Sequence, residues 1–141
     1  MNPEEITGRI TELFPNVGIE CIIDKGHAVA VVPVQLLASV FKTLNDNEAL
    51  NFDMMMDLSA VDWLYRKPRF DVVYHFYSTV HNHRLRVKVT IDEEESLPTA
   101  TKLWMIANPM EREVWDMYGI KFTGHPSLER LLLYEEFKGH P

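Results

Sequence analysis

Hydrophobic residues recur with a helical period near the start of the chain and again after residue 33. The first helix is predicted to begin with Asn2 as its cap, Pro3 at the first helical position and Glu5 completing a capping box. Its apolar face consists of Ile6, Ile10 and Leu13. A second helix is predicted to begin at Pro33, and its apolar stripe consists of Leu37, Val40, Phe41 and Leu44.

Five other segments have the composition of β-strands. The runs IECII and AVAVV flank residues 24–26, Asp-Lys-Gly, and are predicted to form a β-hairpin. The run MMMDLSAVDWL is mostly apolar and is predicted to be a central strand. In RFDVVYHFYS and RLRVKVTI one face is apolar, and the short link between them predicts an antiparallel hairpin. The inward residues are Phe70, Val72, Tyr74, Phe76, Leu85, Val87, Val89 and Ile91.

The resulting order, α-β-β-α-β-β-β, predicts an α+β fold with two layers, a mixed sheet with helices on one face. Residues 1–98 are assigned to this sheet domain, and residues 99–141 to a helical segment and an extended docking tail within one compact domain. Residues 99–107 are predicted to form a short helix. The next helix has Asn108 as its predicted cap, Pro109 at its first position and Gly119 as its stop.

Composition excludes several classes of function. The net charge of −7 argues against a nucleic-acid partner, because neutralising phosphates requires a concentrated basic surface. The single cysteine, Cys21, cannot form an internal disulfide or hold an iron–sulfur cluster. The longest apolar runs are too short to span a bilayer, so direct membrane insertion is not expected, and the first residues resemble neither a signal peptide nor a mitochondrial presequence.

Histidines are the candidate metal ligands. His81 and His83 form one closely spaced pair, and His125 and His140 each stand in a Gly-His-Pro sequence. Zinc sites usually combine paired ligands with Cys or carboxylate partners, which these positions lack. Glycine permits a positive φ and proline extends the residue before it, so we interpret Gly-His-Pro as a backbone device, with metal binding as the alternative.

Carboxylates and cations offer a second set of candidates. Glu111, Glu113 and Asp116 share one predicted helix, but Arg112 is placed to hold Asp116 ionised, and no nucleophile accompanies them. We therefore expect no active site in this chain alone. The outward residues of RLRVKVTI form a basic stripe, which is either a solvated strand face or a docking surface for an acidic partner; they are Arg84, Arg86 and Lys88.

The helix EREVWDMYG is apolar around most of its circumference. One face carries Met110, Val114 and Met117, and a second carries Glu111, Trp115 and Tyr118. Aromatic, methionine and arginine side chains on a second face are typical of an interface core. The alternative is a helix buried on two sides within its own domain.

The sequence EREVWDMYGIKFTGHPSLERLLL, preceded by DLSAVDWLYRKPRFDVVYHFYS and RLRVKV, resembles the C subunit of respiratory complex I, the proton-translocating NADH:quinone oxidoreductase. The resemblance implies a structural subunit of the peripheral arm that docks on the large D subunit of complex I and on its neighbours, and that supports electron transfer from NADH to quinone. It implies no cofactor in this chain, whereas the whole complex carries FMN, iron–sulfur clusters and quinone. It also implies a peripheral location on the cytoplasmic side of the bacterial inner membrane.

The resemblance assigns roles to particular residues. With Trp115 added from the helix pattern, the residues expected to order the tail and form the interface between subunits are Glu111, Arg112, Glu113, Trp115, Asp116, Met117, Tyr118, Gly119, Gly124, His125, Pro126 and Arg130. One departure from the family pattern is Glu129, which stands where an arginine usually accompanies Arg130. The alternatives are the equivalent subunit of a related membrane-bound hydrogenase or quinone-reducing complex, a free-standing protein-binding adaptor, and a small metalloenzyme that uses the histidines.

Overall fold

The computed structural model describes residues 1–126. The helices and strands, in chain order, are α1 (Pro3–Leu13), β1 (Glu20–Asp24), β2 (His27–Val31), α2 (Leu37–Asp46), β3 (Met54–Asp62), β4 (Phe70–Ser78), β5 (His83–Ile91), β6 (Leu97–Pro98), α3 (Ala107–Tyr118) and β7 (Phe122–Thr123). A 3-10 turn, Val34–Leu36, precedes α2. The predicted α+β class and the predicted order of the first seven elements are confirmed.

Five strands form one sheet in the order β1-β2-β5-β4-β3. Its neighbours are antiparallel except β2 and β5, which are parallel, so the prediction of a mixed sheet is confirmed. The prediction that MMMDLSAVDWL is a central strand is wrong, because within residues 1–126 β3 pairs only with β4 and lies at the sheet edge. Its apolar residues divide between the two faces, and Met54, Met56 and Val61 are more than 40% exposed.

Both helices at the start of the chain pack as their patterns predict. In α1 the Asn2 side chain accepts a hydrogen bond from the Glu5 N–H, and the Glu5 carboxylate accepts one from the Asn2 N–H, which confirms the capping box. Ile6 and Ile10 are buried, whereas Leu13, in the last turn, is 38% exposed. The predicted stripe of α2 is fully buried.

The core lies between the helices and one face of the sheet. The predicted inward residues of β4 and β5 all belong to it. The Phe41 ring of α2 meets the Tyr74 ring edge-on at 5.0 Å and the Trp104 ring at 5.7 Å. Trp104 also donates its indole N–H to the Phe52 carbonyl, at 2.9 Å. The segment after residue 98 therefore contributes to the same core as the sheet.

The prediction of a helix over residues 99–107 is wrong. Single turns occupy this segment, in which the Leu103 and Trp104 N–H groups both donate to the Ala100 carbonyl. Burial of Trp104 in the core holds this segment in place, while Met105 is 87% exposed. Within residues 1–126, no helix is long and apolar enough to cross a lipid bilayer.

Candidate functional site at helix α3

Helix α3 packs against the edge strand β3 and ends at Gly119. Gly119 has φ 73°, a left-handed conformation that favours glycine, and its N–H donates to the Trp115 carbonyl at 2.8 Å. The predicted stop is therefore confirmed. The predicted start is wrong, because α3 begins at Ala107 without a side-chain cap. The Asn108 carbonyl instead accepts a hydrogen bond from His125.

Glu111 is fully buried, which the sequence pattern did not predict. Its Oε1 accepts a hydrogen bond from the Thr99 hydroxyl at 2.6 Å, and its Oε2 accepts one from the Ala100 N–H at 2.7 Å. Burial raises the pKa of the Glu111 carboxyl to about 7, and these hydrogen bonds oppose the rise without cancelling it. Glu111 therefore fastens α3 to the segment before it.

Tyr74 on β4 lies near enough to Glu111 to be affected by its charge. Its hydroxyl is buried without a hydrogen-bond partner among residues 1–126. Burial raises the pKa of the Tyr74 hydroxyl well above its usual value, and the negative charge of Glu111 raises it further. The interior beneath α3 is thus a weakly solvating environment in which a second negative charge is strongly disfavoured.

The chain after α3 returns to the start of that helix. Strand β7 pairs in parallel with β6, and Gly124 follows with φ 87°. A Cβ atom at Gly124 would lie 3.2 Å from Thr99 Cγ2, so this turn has little space for a side chain. His125 is fully buried, and its Nε2–H donates to the Asn108 carbonyl at 2.8 Å. In this first Gly-His-Pro sequence, Gly124 allows the turn and His125 binds a backbone carbonyl, which agrees with a role in shaping the backbone.

The predicted interface residues of α3 divide between its two sides. Trp115 is only 7% exposed, and Tyr118 is half-buried with its ring edge-on to Phe70. The alternative of a helix buried on two sides thus accounts for Glu111 and Trp115. The outward side carries Arg112, Glu113, Asp116 and Met117, and Met117 is 53% exposed. Contact of these residues with another subunit stays a prediction.

The remaining motif positions lie at or beyond the end of the described chain. Pro126 is exposed. Arg130, Glu129 and His140 lie outside residues 1–126. The roles predicted for them stay predictions.

The hairpin histidines are held by the backbone. His81 donates through Nε2 to the Glu48 carbonyl and His83 donates through Nε2 to the Leu50 carbonyl, both at 2.7 Å. The His83 ring is 4% exposed, and burial lowers its pKa. In the part of the chain that the structure describes, no three His, Cys, Asp or Glu side chains are grouped as metal ligands.

Sequence reasoning missed an ion cluster around Asp71 on the outer face of the sheet. Asp71 is 5% exposed, accepts a hydrogen bond from the Trp63 indole at 2.9 Å and is paired with Arg66 at 2.5 Å. Lys88 Nζ lies 3.6 Å from the same carboxylate. Burial alone would raise the pKa of Asp71, but the hydrogen bonds and nearby cations bring it below its usual value. The alternation of residues along β4 places Asp71 on the outer face, and this was the sequence signal from which the cluster could have been predicted.

Comparisons with known proteins point to one family. Residues 30–141 match the family described as "Respiratory-chain NADH dehydrogenase, 30 Kd subunit". The C subunit of the NADH-quinone oxidoreductase of Caulobacter vibrioides is 46% identical over 122 residues, which cover 82% of this chain and 62% of that protein. The chain spans about three fifths of the length of the first curated relatives it matches.

Two solved structures have the same fold. A trypsin-resistant fragment of Nqo5 has a TM-score of 0.74 at 32% sequence identity, with 84% of this chain and 96% of that chain covered. A chain of the membrane-bound sulfane sulfur reductase, an archaeal respiratory membrane complex, also has a TM-score of 0.74, at 25% identity. That match covers 88% of this chain and 72% of the other.

Proposed function

Because this chain belongs to the family of the respiratory-chain NADH dehydrogenase 30 Kd subunit, we propose that it is a structural subunit of a proton-translocating NADH:quinone oxidoreductase. In this proposal it lies in the peripheral arm, holds no catalytic residue of its own and supports electron transfer from NADH to quinone. The FMN, iron–sulfur clusters and quinone are held by other subunits. The proposed location is peripheral, on the cytoplasmic side of a bacterial inner membrane.

The single observation that supports docking best is the two-sided character of α3. Its inner side is fastened by Glu111 and by burial of Trp115, and the His125 hydrogen bond fixes its start. Its outer side presents Arg112 and the half-exposed Met117 on this fixed support. A rigid helix with an exposed methionine and arginine is suited to binding another protein, because little conformational entropy is lost on association.

We propose that the partner that covers this outer side is the D subunit, which helps to form the quinone cavity in this family and is called the quinone-site subunit below. The segment after Pro126 continues the contact in the proposal, with Arg130 as its cation. The chain would then act by ordering a neighbouring protein rather than by contacting a substrate.

A second candidate is the equivalent subunit of another membrane-bound respiratory complex. The sulfane sulfur reductase match supports it, since that complex contains a chain of the same fold at a similar coverage. Its name indicates a substrate other than quinone. The residues of this chain do not contact an electron donor in either proposal, so the companions of the chain distinguish the two.

The docking proposal is tested by a pair of double variants in the tagged full chain. Arg112→Ala/Met117→Ala removes the exposed side of α3, and Lys102→Ala/Met105→Ala removes a cation and an exposed methionine from the turn before it. If α3 contains interface hot spots, the first variant should weaken association by about 2 kcal/mol or more, roughly thirtyfold. The measurement is the amount of the quinone-site subunit retained per tagged chain after washing.

The control variant should retain the quinone-site subunit at the wild-type level, and circular dichroism should show both variants folded. Equal retention by the two variants would contradict docking through α3. Trp115→Ala is a poorer test, because removing a buried tryptophan also weakens the fold.

A further inference from the structure

The outer face of the five-stranded sheet ends in a pocket where positive charge is concentrated. The pocket has a volume of about 330 Å³. Its ionisable lining consists of His27, Asp57, His75, Arg84 and Arg86. Two guanidinium groups therefore face one carboxylate, in a chain whose net charge is −7, and two imidazoles lie beside them.

Strand register explains why these groups converge. His75 on β4 lies opposite Arg86 on β5, and Arg86 is in turn the register partner of Val29 on β2. Arg84 stands two residues from Arg86 and points to the same face. His27 stands two residues before Val29, which brings its side chain to the same end of the sheet.

The positive charge in this pocket is only partly compensated within the described chain. Burial lowers the pKa of His75, the Arg86 charge lowers it further, and the opposing effect of Asp57 does not restore it. The Asp24 carboxylate lies 3.7 Å from Arg86 Nη1. Arg84 lies over the Tyr77 ring at 5.3 Å, and within residues 1–126 it has no ion pair. Like charges opposite each other on a sheet are unfavourable, and an added anion relieves this repulsion.

An apolar depression adjoins the pocket on the same face. It has a volume of about 410 Å³, and its aliphatic floor consists of Ile22, Val29, Val31, Val61 and Val73. Its lining also includes the ion-paired Asp24, Asp71 and Lys88, and it shares His75 and Arg86 with the pocket. These side chains lie outside the core cluster, although Val29 is only 5% exposed. A small inorganic anion would not use an aliphatic floor. A protein segment with aliphatic side chains next to carboxylates matches both the floor and the pocket.

We infer that the outer face of the sheet is a second docking surface, distinct from α3, for an acidic segment of a neighbouring protein in the assembly. Aliphatic side chains of that segment lie on the aliphatic floor. A carboxylate of the segment enters the pocket and accepts hydrogen bonds from Arg84 and Arg86. The inference rests on the proposed function only in that the chain works inside an assembly of several subunits.

Photocrosslinking in the purified assembly tests this surface. The full chain carries benzoylphenylalanine in place of Val61 on the outer face, of Met117 on α3, or of Lys42 on the opposite side of the molecule as a control. The Val61 probe should crosslink to a peptide of another subunit that contains Asp or Glu near the crosslinked residue. The Lys42 probe should not label that peptide.

A Met117 crosslink without any Val61 crosslink to protein would overturn the inference and leave the proposed function intact. A Val61 crosslink to a peptide without carboxylates, or to lipid, would also overturn it. If neither probe reaches another subunit, the inference and the proposed function fail together.

Removing the charges of Arg84 and Arg86 tests the role of the pocket in this crosslink. Arg84→Gln/Arg86→Gln should lower the yield of the Val61 crosslink about tenfold at fixed ionic strength, because the carboxylate loses its partners. Arg9→Gln, an exposed arginine on α1, should leave the yield unchanged, and the Met117 crosslink should persist in both. An unchanged Val61 yield in the double variant would overturn the role of the pocket.

Discussion

The buried carboxyl of Glu111 makes the stability of the fold depend on pH. Its carboxyl is fully buried, and burial raises its pKa from an ordinary 4.5 to about 7. In the unfolded chain the carboxyl has its ordinary pKa, so between these values the folded state binds more protons than the unfolded state. The free energy of unfolding therefore falls as pH rises from about 4.5 to about 7, by up to about 3 kcal/mol.

Glu111→Gln should flatten this pH dependence. The glutamine can still accept a hydrogen bond from the Ala100 N–H, and it can donate one to Thr99, but it does not ionise. The variant should therefore equal the parent near pH 4.5 and exceed its stability at and above pH 7. Urea unfolding of the full chain at a series of pH values, followed by tryptophan fluorescence, measures this difference.

Glu113→Gln serves as the control, because Glu113 is exposed on the same helix. Its pH profile should follow that of the parent. If Glu111→Gln retains the same slope between pH 4.5 and pH 7, the buried carboxyl is not the group that titrates.

Sequence periodicity predicted which residues accompany Glu111 but not its ionisation. The pattern placed Glu111 on one helical face with Trp115 and Tyr118. Burial raises the pKa of Glu111, and the two groups that oppose this rise, Thr99 and Ala100, lie outside the helix in a segment that was predicted to be helical. A pKa depends on such tertiary neighbours, which a one-dimensional pattern does not contain.

The parallel pairing of β6 with β7 brings the chain back towards the start of α3, just before the segment that is predicted to dock. Gly124 is essential to this return of the chain, because its φ is 87° and a Cβ there would lie 3.2 Å from Thr99 Cγ2. Gly124→Ala should destabilise the chain by about 1–2 kcal/mol through the left-handed backbone alone. Adding Thr99→Ser removes the methyl group but keeps the hydroxyl, so it should recover only the part of the loss that comes from contact.

Gly8→Ala is the matched control for this substitution. Gly8 lies within α1, and a Cβ there meets no atom within 4 Å. Alanine should therefore raise the free energy of unfolding by about 1 kcal/mol. Urea unfolding of the three variants measures both effects, and a Gly124→Ala variant as stable as the parent would contradict the proposed constraint.

At the level of elements, local sequence patterns predicted the core residues correctly where the periodicity of a segment matches its burial. The stripe of α2 and the alternation of β4 and β5 identified their core residues, because the core of residues 1–126 lies between the helices and one face of the sheet. The edge position of β3 was not predictable from its apolar composition, since strand order is decided by pairing between distant residues. The segment at 99–107 has an apolar composition, but burial of Trp104 stabilises turns there and leaves Met105 exposed.

At the scale of the whole molecule, two surfaces are proposed to bind neighbouring proteins. The outward side of α3 carries Arg112 and Met117, and the outer sheet face has an aliphatic floor beside a cationic pocket. If both surfaces dock as proposed, the chain joins its neighbours in an assembly.

The most direct test of this account is to tag the full chain in its own host, purify it in mild detergent and identify its companions by mass spectrometry. The account predicts flavin, iron–sulfur and integral-membrane subunits, with the quinone-site subunit in stoichiometric amount and NADH:quinone activity in the preparation. Sulfur-reducing or hydrogen-oxidising companions would support the second candidate. Recovery of the chain alone, or with one unrelated soluble protein, would contradict the claim that it is a subunit of a respiratory complex.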